Sequence, residues 1–101
     1  MELTLESGNV IAPATEADIR ASIEGEEFAI LAVDGNTYMQ CAEQRQSPYE
    51  YVLEYQEGSL AQHYRAVGGG IPLERVIAAF LKYLRRDASW KSDFKWERIE
   101  L

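Results

Sequence analysis

The chain has few of the residues that usually announce a chemistry. Its 101 residues contain one cysteine, Cys41, and one histidine, His63. A single cysteine forms no intramolecular disulfide, and a lone reduced thiol fits a cytoplasmic setting. One thiol and one imidazole are too few soft ligands for a structural metal site, so no metal and no cofactor are expected. No apolar run approaches the roughly 20 residues needed to span a membrane. The opening MELTLESGN has neither the basic nor the apolar region of a signal peptide. Phosphate-cradling motifs are missing as well. Gly68-Gly69-Gly70 precedes a helix start, but it matches neither G-x-x-x-x-G-K-S/T nor G-x-G-x-x-G, and Pro72 removes one donor amide. It reads as a flexible turn from strand to helix.

Positive charge is also scarce. Lys and Arg total 10 against 17 Asp and Glu, a formal net charge of -7. Affinity for nucleic acid comes largely from cations that displace phosphate counterions, so nucleic acid and anionic membrane surfaces are poor partners. The basic residues that cluster are Lys82, Arg85, Arg86 and Lys91, with Lys95 and Arg98 further on. Hydrophobic residues make up 47% and charged residues 27%. That balance argues for a globular chain over a disordered, collagen-like or coiled-coil one. With no repeat and no linker, residues 1–101 read as one domain.

Hydrophobic patterning supplies the elements. Leu3 and Leu5 alternate with polar neighbours as a short edge strand, and Val10-Ile11-Ala12 fits a second. Thr15-Glu16-Ala17-Asp18 has capping-box spacing, and Ile19 and Ile23 fall on one face of a helix over about 15–24. Phe28 to Val33 is continuously apolar, so a strand covered on most of both faces is expected. Asp34-Gly35-Asn36 then signals a hairpin, with Thr37 to Ala42 as the returning strand and Glu43 to Pro48 as a loop. Cys41 is expected on a core face with Phe28, Ile30 and Met39, as a small buried hydrophobe and not as a nucleophile partnered by His63.

Tyr49 to Tyr55 and Leu60 to Val67 both alternate, with a turn at Glu57-Gly58. A symmetric turn pairs Glu50 with Arg65 and Val52 with His63 on a polar face. The opposite face then carries Tyr49, Tyr51, Leu53, Tyr55, Leu60, Tyr64 and Ala66. Pro72 opens a second helix whose stripe is Leu73, Val76, Ile77, Phe80, Leu81 and Leu84. Phe94, Trp96 and Ile99 suggest a last strand. The order is β-(β)-α-β-β-β-β-α-β. Short links make the sheet mainly antiparallel, and two amphipathic helices cover one face. The expected fold is an α+β two-layer sandwich with five or six strands.

Candidate functional residues follow from this layout. His63, Arg65 and Glu50 form the one predicted mixture of acid, base and cation, on the polar face of the sheet. Most other carboxylates, including Glu24, Glu26, Glu27, Asp34, Glu43, Glu54 and Glu57, fall in turns or on a solvent face, where no environment separates them into acid and base. Tyrosine and tryptophan are favoured at interfaces because they bury area while keeping a polar tip. Tyr38 and Trp90 fit no predicted core stripe and are the expected exposed aromatics.

From Tyr49 onward the chain resembles small bacterial proteins of the toxin-immunity kind. The residues that carry the likeness are YEYVLEYQEGSLAQHYRA, the helix IPLERVIAAFLKYLRRD, and the Trp-bearing end SWKSDFKWERIEL. The resemblance implies a non-enzymatic, acidic protein that binds a cognate toxin. The functional expectation is therefore an interaction module that meets a basic protein partner through an acidic, aromatic-bearing surface. The second reading is a small-molecule binder or enzyme around His63, Arg65 and Glu50. A third is a homodimer through an uncovered strand edge or sheet face.

Overall fold

The structure, a computed structural model, describes residues 1–44, 47–68 and 70–100, with side chains throughout these except at 47–49. The chain forms β1 (Glu2–Leu5), β2 (Val10–Ile11), α1 (Glu16–Ser22), β3 (Phe28–Asp34), β4 (Thr37–Gln44), β5 (Ser47–Glu57), β6 (His63–Ala66), β7 (Ile71–Pro72), α2 (Leu73–Leu84) and β8 (Trp96–Arg98). Two short 3-10 helices, Leu60–Gln62 and Ala88–Asp93, lie before β6 and before β8. All eight strands join one antiparallel sheet in the order β2-β1-β3-β4-β5-β6-β8, with β7 paired to the start of β5. The α+β architecture and the element order match expectation. The strand count is higher because Ile71–Pro72 adds a two-residue strand and Val10–Ile11 pairs outside β1. That pairing also moves β1 in from the edge.

Local chemistry explains the helix limits. The Thr15 hydroxyl accepts from the Asp18 amide at 3.2 Å, and the Asp18 carboxylate accepts from the Thr15 amide at 2.8 Å, so the capping box closes. Ile19 and Ile23 then enter the core. Pro72 caps α2 in extended backbone, and Val76, Ala79, Phe80, Leu81 and Tyr83 are buried beneath it. The helices touch each other, and Arg85 near the end of α2 ion-pairs with Glu16 at the start of α1.

Alternation along the strands sends one set of side chains toward the helices. Leu3, Leu31, Met39, Leu53 and Phe80 are fully buried there. Cys41 and Met39 belong to this set, but Phe28 and Ile30 do not. Cys41 pairs with Ala29, and Phe28 pairs with Ala42, so Ala29 and Leu31 take the core positions that the sequence reading gave to Phe28 and Ile30. The covering of β3 on both faces is also corrected. No helix lies on its second face, and Phe28 is 37% exposed.

The link between β5 and β6 departs most from expectation. Gly58 adopts φ 82°, and its amide donates to the carbonyl of Asn36 at 3.0 Å. Leu60–Gln62 then forms a helical turn, so Leu60 is 60% exposed and outside the sheet. The longer link shifts the register by four residues: Glu54 lies opposite Arg65, Tyr55 opposite Tyr64 and Gln56 opposite His63. An even shift keeps each side chain on its face. Tyr51, Leu53, Tyr55, Tyr64 and Ala66 therefore share the helix side as expected, while the side chain of Tyr49 lies outside the described residues. The expected loop 43–48 is shorter, because β4 runs to Gln44 and β5 starts at Ser47; residues 45 and 46 lie outside the described residues, as does Gly69 of the glycine run.

The aromatic residues form one packed group. Tyr55 stacks on Tyr64 at 5.0 Å and meets Trp90 and Trp96 edge-on at 4.8 and 4.7 Å. Trp90 also meets Tyr83 at 5.5 Å. Burial, with the charge of Glu57 second, pushes the hydroxyls of Tyr55 and Tyr83 up to about 12 from an ordinary 10.0. Between about pH 10 and 12 the unfolded chain therefore gives up protons that the folded chain keeps, and stability falls as pH rises through that window. Urea midpoints should be lower at pH 11 than at pH 9. The tyrosinate absorbance of the folded protein should show a late phase that denaturant removes. Identical midpoints and a single phase would contradict this packing.

Candidate functional site

The helix-free face of the sheet collects the even-numbered positions of β1 to β5 and the odd-numbered positions of β6 and β8. One row across it runs Glu2, Ala32, Tyr38, Gln56, His63, and the next runs Thr4, Ile30, Gln40, Glu54, Arg65, Glu97. A third row is Phe28, Ala42, Val52. The face thus divides in two. Toward β6 and β8 it is polar and hydrogen-bonded, and toward β3 it is apolar.

The polar half is a closed network. His63 is 1% exposed. Its Nε2 lies 2.6 Å from Glu54 Oε1, and its Nδ1 lies 3.0 Å from Gln56 Oε1. Gln56 donates from Nε2 to the carbonyl of Asn36 at 3.1 Å, which turns its Oε1 toward His63 and toward the Tyr38 hydroxyl, 3.1 Å away. Gln40 donates to Glu54 Oε1 at 3.2 Å. Both ring nitrogens therefore lie at hydrogen-bond distance from side-chain oxygens. Both are thus turned to protein groups within a ring that is buried, so neither is presented to a metal ion or to a substrate. The half-exposed strand histidine expected opposite Val52 is instead buried opposite Gln56.

The remaining predicted residues are distributed as follows. Arg65 lies beside this network and pairs with Glu97 at 3.7 Å. Glu50 is on the same face but four residues further along β5, roughly 13 Å at strand rise. It sits opposite Pro72, and a Cβ at Gly70 would run into its carboxylate. Glu54 thus takes the place beside Arg65 that the sequence reading gave to Glu50, for the reason of register given above. Tyr38 is half-buried, and burial followed by the charge of Glu54 holds its hydroxyl above the ordinary tyrosine range. Trp90 does not belong to this surface. It is 5% exposed under α2, so its expected exposure is corrected. Cys41 faces the helices, on the opposite side of the sheet from His63, and burial pushes its thiol up to about 12; the two form no nucleophile pair. Glu54 and Gln56 were findable from the alternation of β5, had the β5–β6 link been read as five residues.

The apolar half is open. Phe28, Ala42 and Val10 are exposed, and Ile30 and Val52 are half-buried. Phe28 and Ala42 line a hollow of about 440 Å³ whose other walls are Glu27 and Glu43. The Glu43 amide donates to the carbonyl of Glu27 at 2.8 Å, which holds the two carboxylate-bearing residues side by side. Phe28 and Ala42 are the part of the hollow on the helix-free face, and Glu43, opposite Tyr51, turns toward the other side at the end of the sheet. An apolar surface with carboxylates at its rim suits the aliphatic stem and charged head of a lysine or arginine. Among the described residues no cluster of His, Cys, Asp and Glu could hold a metal ion, and no helix is long and apolar enough to cross a membrane.

The His63–Glu54 pair gives a direct test of this geometry. Glu54 keeps 18% side-chain exposure, so removing either partner, as His63→Phe or Glu54→Leu, should cost about 2–3 kcal/mol in chemical denaturation. The double variant should cost less than the sum of the two by about 1 kcal/mol or more. Additive losses would mean that the two side chains do not interact in solution. Compared with family models, with curated proteins and with solved structures, the chain matches none of them.

Proposed function

We propose that the protein is a non-enzymatic interaction module of the immunity or adaptor kind, which takes a basic protein partner on the helix-free face of its sheet. The observation that carries this reading is the exposed Phe28–Ala42 hollow walled by Glu27 and Glu43. Elsewhere the same face carries Glu2, Glu50, Glu54 and Glu97 against Arg65, which is already paired to Glu97. An apolar hollow on a face rich in carboxylates is the complement of a basic surface carrying a few long side chains. The partner's own site is occluded sterically, and the charge raises the association rate. The setting is a bacterial cytoplasm, where Cys41 stays reduced. A second copy of this chain is the weaker occupant, because two chains of net charge -7 repel.

The alternative reading, catalysis or small-molecule binding around His63, Arg65 and Glu50, loses its support in the geometry. The ring nitrogens are both engaged, and Glu50 stands apart from the other two.

The test is a pulldown from the native host at low salt with the wild type, a Phe28→Ser variant and a Glu27→Lys/Glu43→Lys variant. A stoichiometric basic protein should be retained by the wild type alone. With that protein purified, the charge-reversed variant should associate about tenfold more slowly or worse, and added salt should close the gap. Recovery of no stoichiometric partner, or equal retention by all three proteins, would overturn the proposal.

A further inference from the structure

A separate cleft lies on the helix side of the sheet, where the β3–β4 hairpin and the end of β5 meet the end of α2. It measures about 400 Å³, within the roughly 300–1,000 Å³ of small-molecule sites. Val33, Ala88 and Trp90 supply apolar walls, and the polar lining includes Tyr83, Arg86, Lys91 and Glu57. Val33 stands at a bulge between Ala32 and Asp34, where the β3–β4 register shifts, and this position leaves it 42% exposed in the cleft.

Two side chains here are unmatched. The Tyr83 hydroxyl is buried and has no hydrogen-bond partner among the described residues. Buried polar groups are almost always paired, so an orphan of this kind calls for an explanation. Burial pushes this hydroxyl up to about 12, with Glu57 and Asp34 adding to the rise and Arg86 opposing it, so it remains a neutral donor near pH 7. Arg86, exposed at the rim, is the second, as a cation with no ion-pair partner among the described residues. Its backbone sits at φ 60°, the one positive value at a non-glycine residue among those described. Helices commonly end on this conformation with glycine, yet here an arginine occupies it and makes no ion pair among the described residues. Lys91, by contrast, is held by Glu57 at 2.5 Å and lies over the Trp90 ring at 5.5 Å. With Lys91 paired to Glu57, and Asp34 acting on the Tyr83 hydroxyl from nearby, Arg86 is the cation of the lining without an ion-pair partner among the described residues.

We propose that this cleft binds a small organic acid, whose apolar or aromatic body lies against Trp90 and Val33 and whose carboxylate accepts from the Tyr83 hydroxyl and pairs with Arg86. The site is independent of the protein-binding face, which lies across the sheet. The ligand supplies the acceptor that Tyr83 lacks and the counter-charge that Arg86 lacks. Lys91 and Glu57 neutralise each other at the rim, which leaves Arg86 as the cation available to a carboxylate.

The experiment titrates the isotope-labelled full chain with phenylacetate, phenylacetamide and phenethylamine, which share a ring but differ in charge. Phenylacetate should shift the Trp90 indole resonance and the amides of Arg86 and Ala88. The amide and the amine should bind about tenfold more weakly or not at all, as expected when a charged hydrogen bond is lost. Arg86→Gln and Tyr83→Phe should each weaken phenylacetate by about tenfold, and neither should lower the melting temperature, since neither group has a protein partner to lose. Absence of shifts at these positions, equal binding of the three probes, or wild-type affinity in Arg86→Gln would overturn the proposal.

Discussion

The stripe on α2 that carries Val76, Phe80 and Tyr83, with the Ile19–Ile23 face of α1 beside it, is the apolar cover on which the rest of the fold depends. Leu3, Leu31, Met39 and Leu53 are buried beneath these helices, and burial of such side chains is the main driving term for folding. The cover extends over one face only. An eight-stranded sheet has two faces, and the described residues form a single pair of α-helices, so every strand residue on the second face must meet the solvent or find a partner on its own side.

The two halves of the open face answer that constraint differently. At β5 and β6 the chain buries polarity in place of apolar area. His63, Glu54, Gln56, Tyr38 and Gln40 match donors to acceptors almost completely, which is what permits a histidine and a glutamine to be buried without a helix above them. At β3 no such matching exists, and Phe28, Ile30 and Val52 remain at the surface between carboxylates. One half is complete in itself, whereas the other is complementary to something basic. That difference locates the proposed partner surface.

The aromatic residues show a related division of labour. Tyr51, Tyr55, Tyr83 and Trp90 sit in the core, the last three in edge-on contact. An abundance of aromatics that looks like an interface in composition is mostly interior in space. What remains functional is where the cluster stops short of closure, at the orphaned Tyr83 hydroxyl beside the strained Arg86.

Much of this was legible from residue order. Capping chemistry at Thr15 and Asp18, the spacing of α2 and the alternation of β5 are local properties, so they determined the α+β class, the order of elements and the face each residue of β5 and β6 occupies, whereas the continuous apolar run of β3 left its faces undetermined. The candidate site was legible in part: His63 and Arg65 were assigned to the right face, while their acidic neighbour was not. A slip of four residues leaves the alternation pattern unchanged, so the pattern cannot distinguish Glu50 from Glu54 opposite Arg65. Only the five-residue link after Glu57, with its 3-10 turn, decided it. The burial of His63 and Trp90, the exposure of Phe28 and the orphaning of Tyr83 were likewise decided by tertiary structure. Each depends on which elements lie above a side chain, and periodicity along the chain carries no record of that.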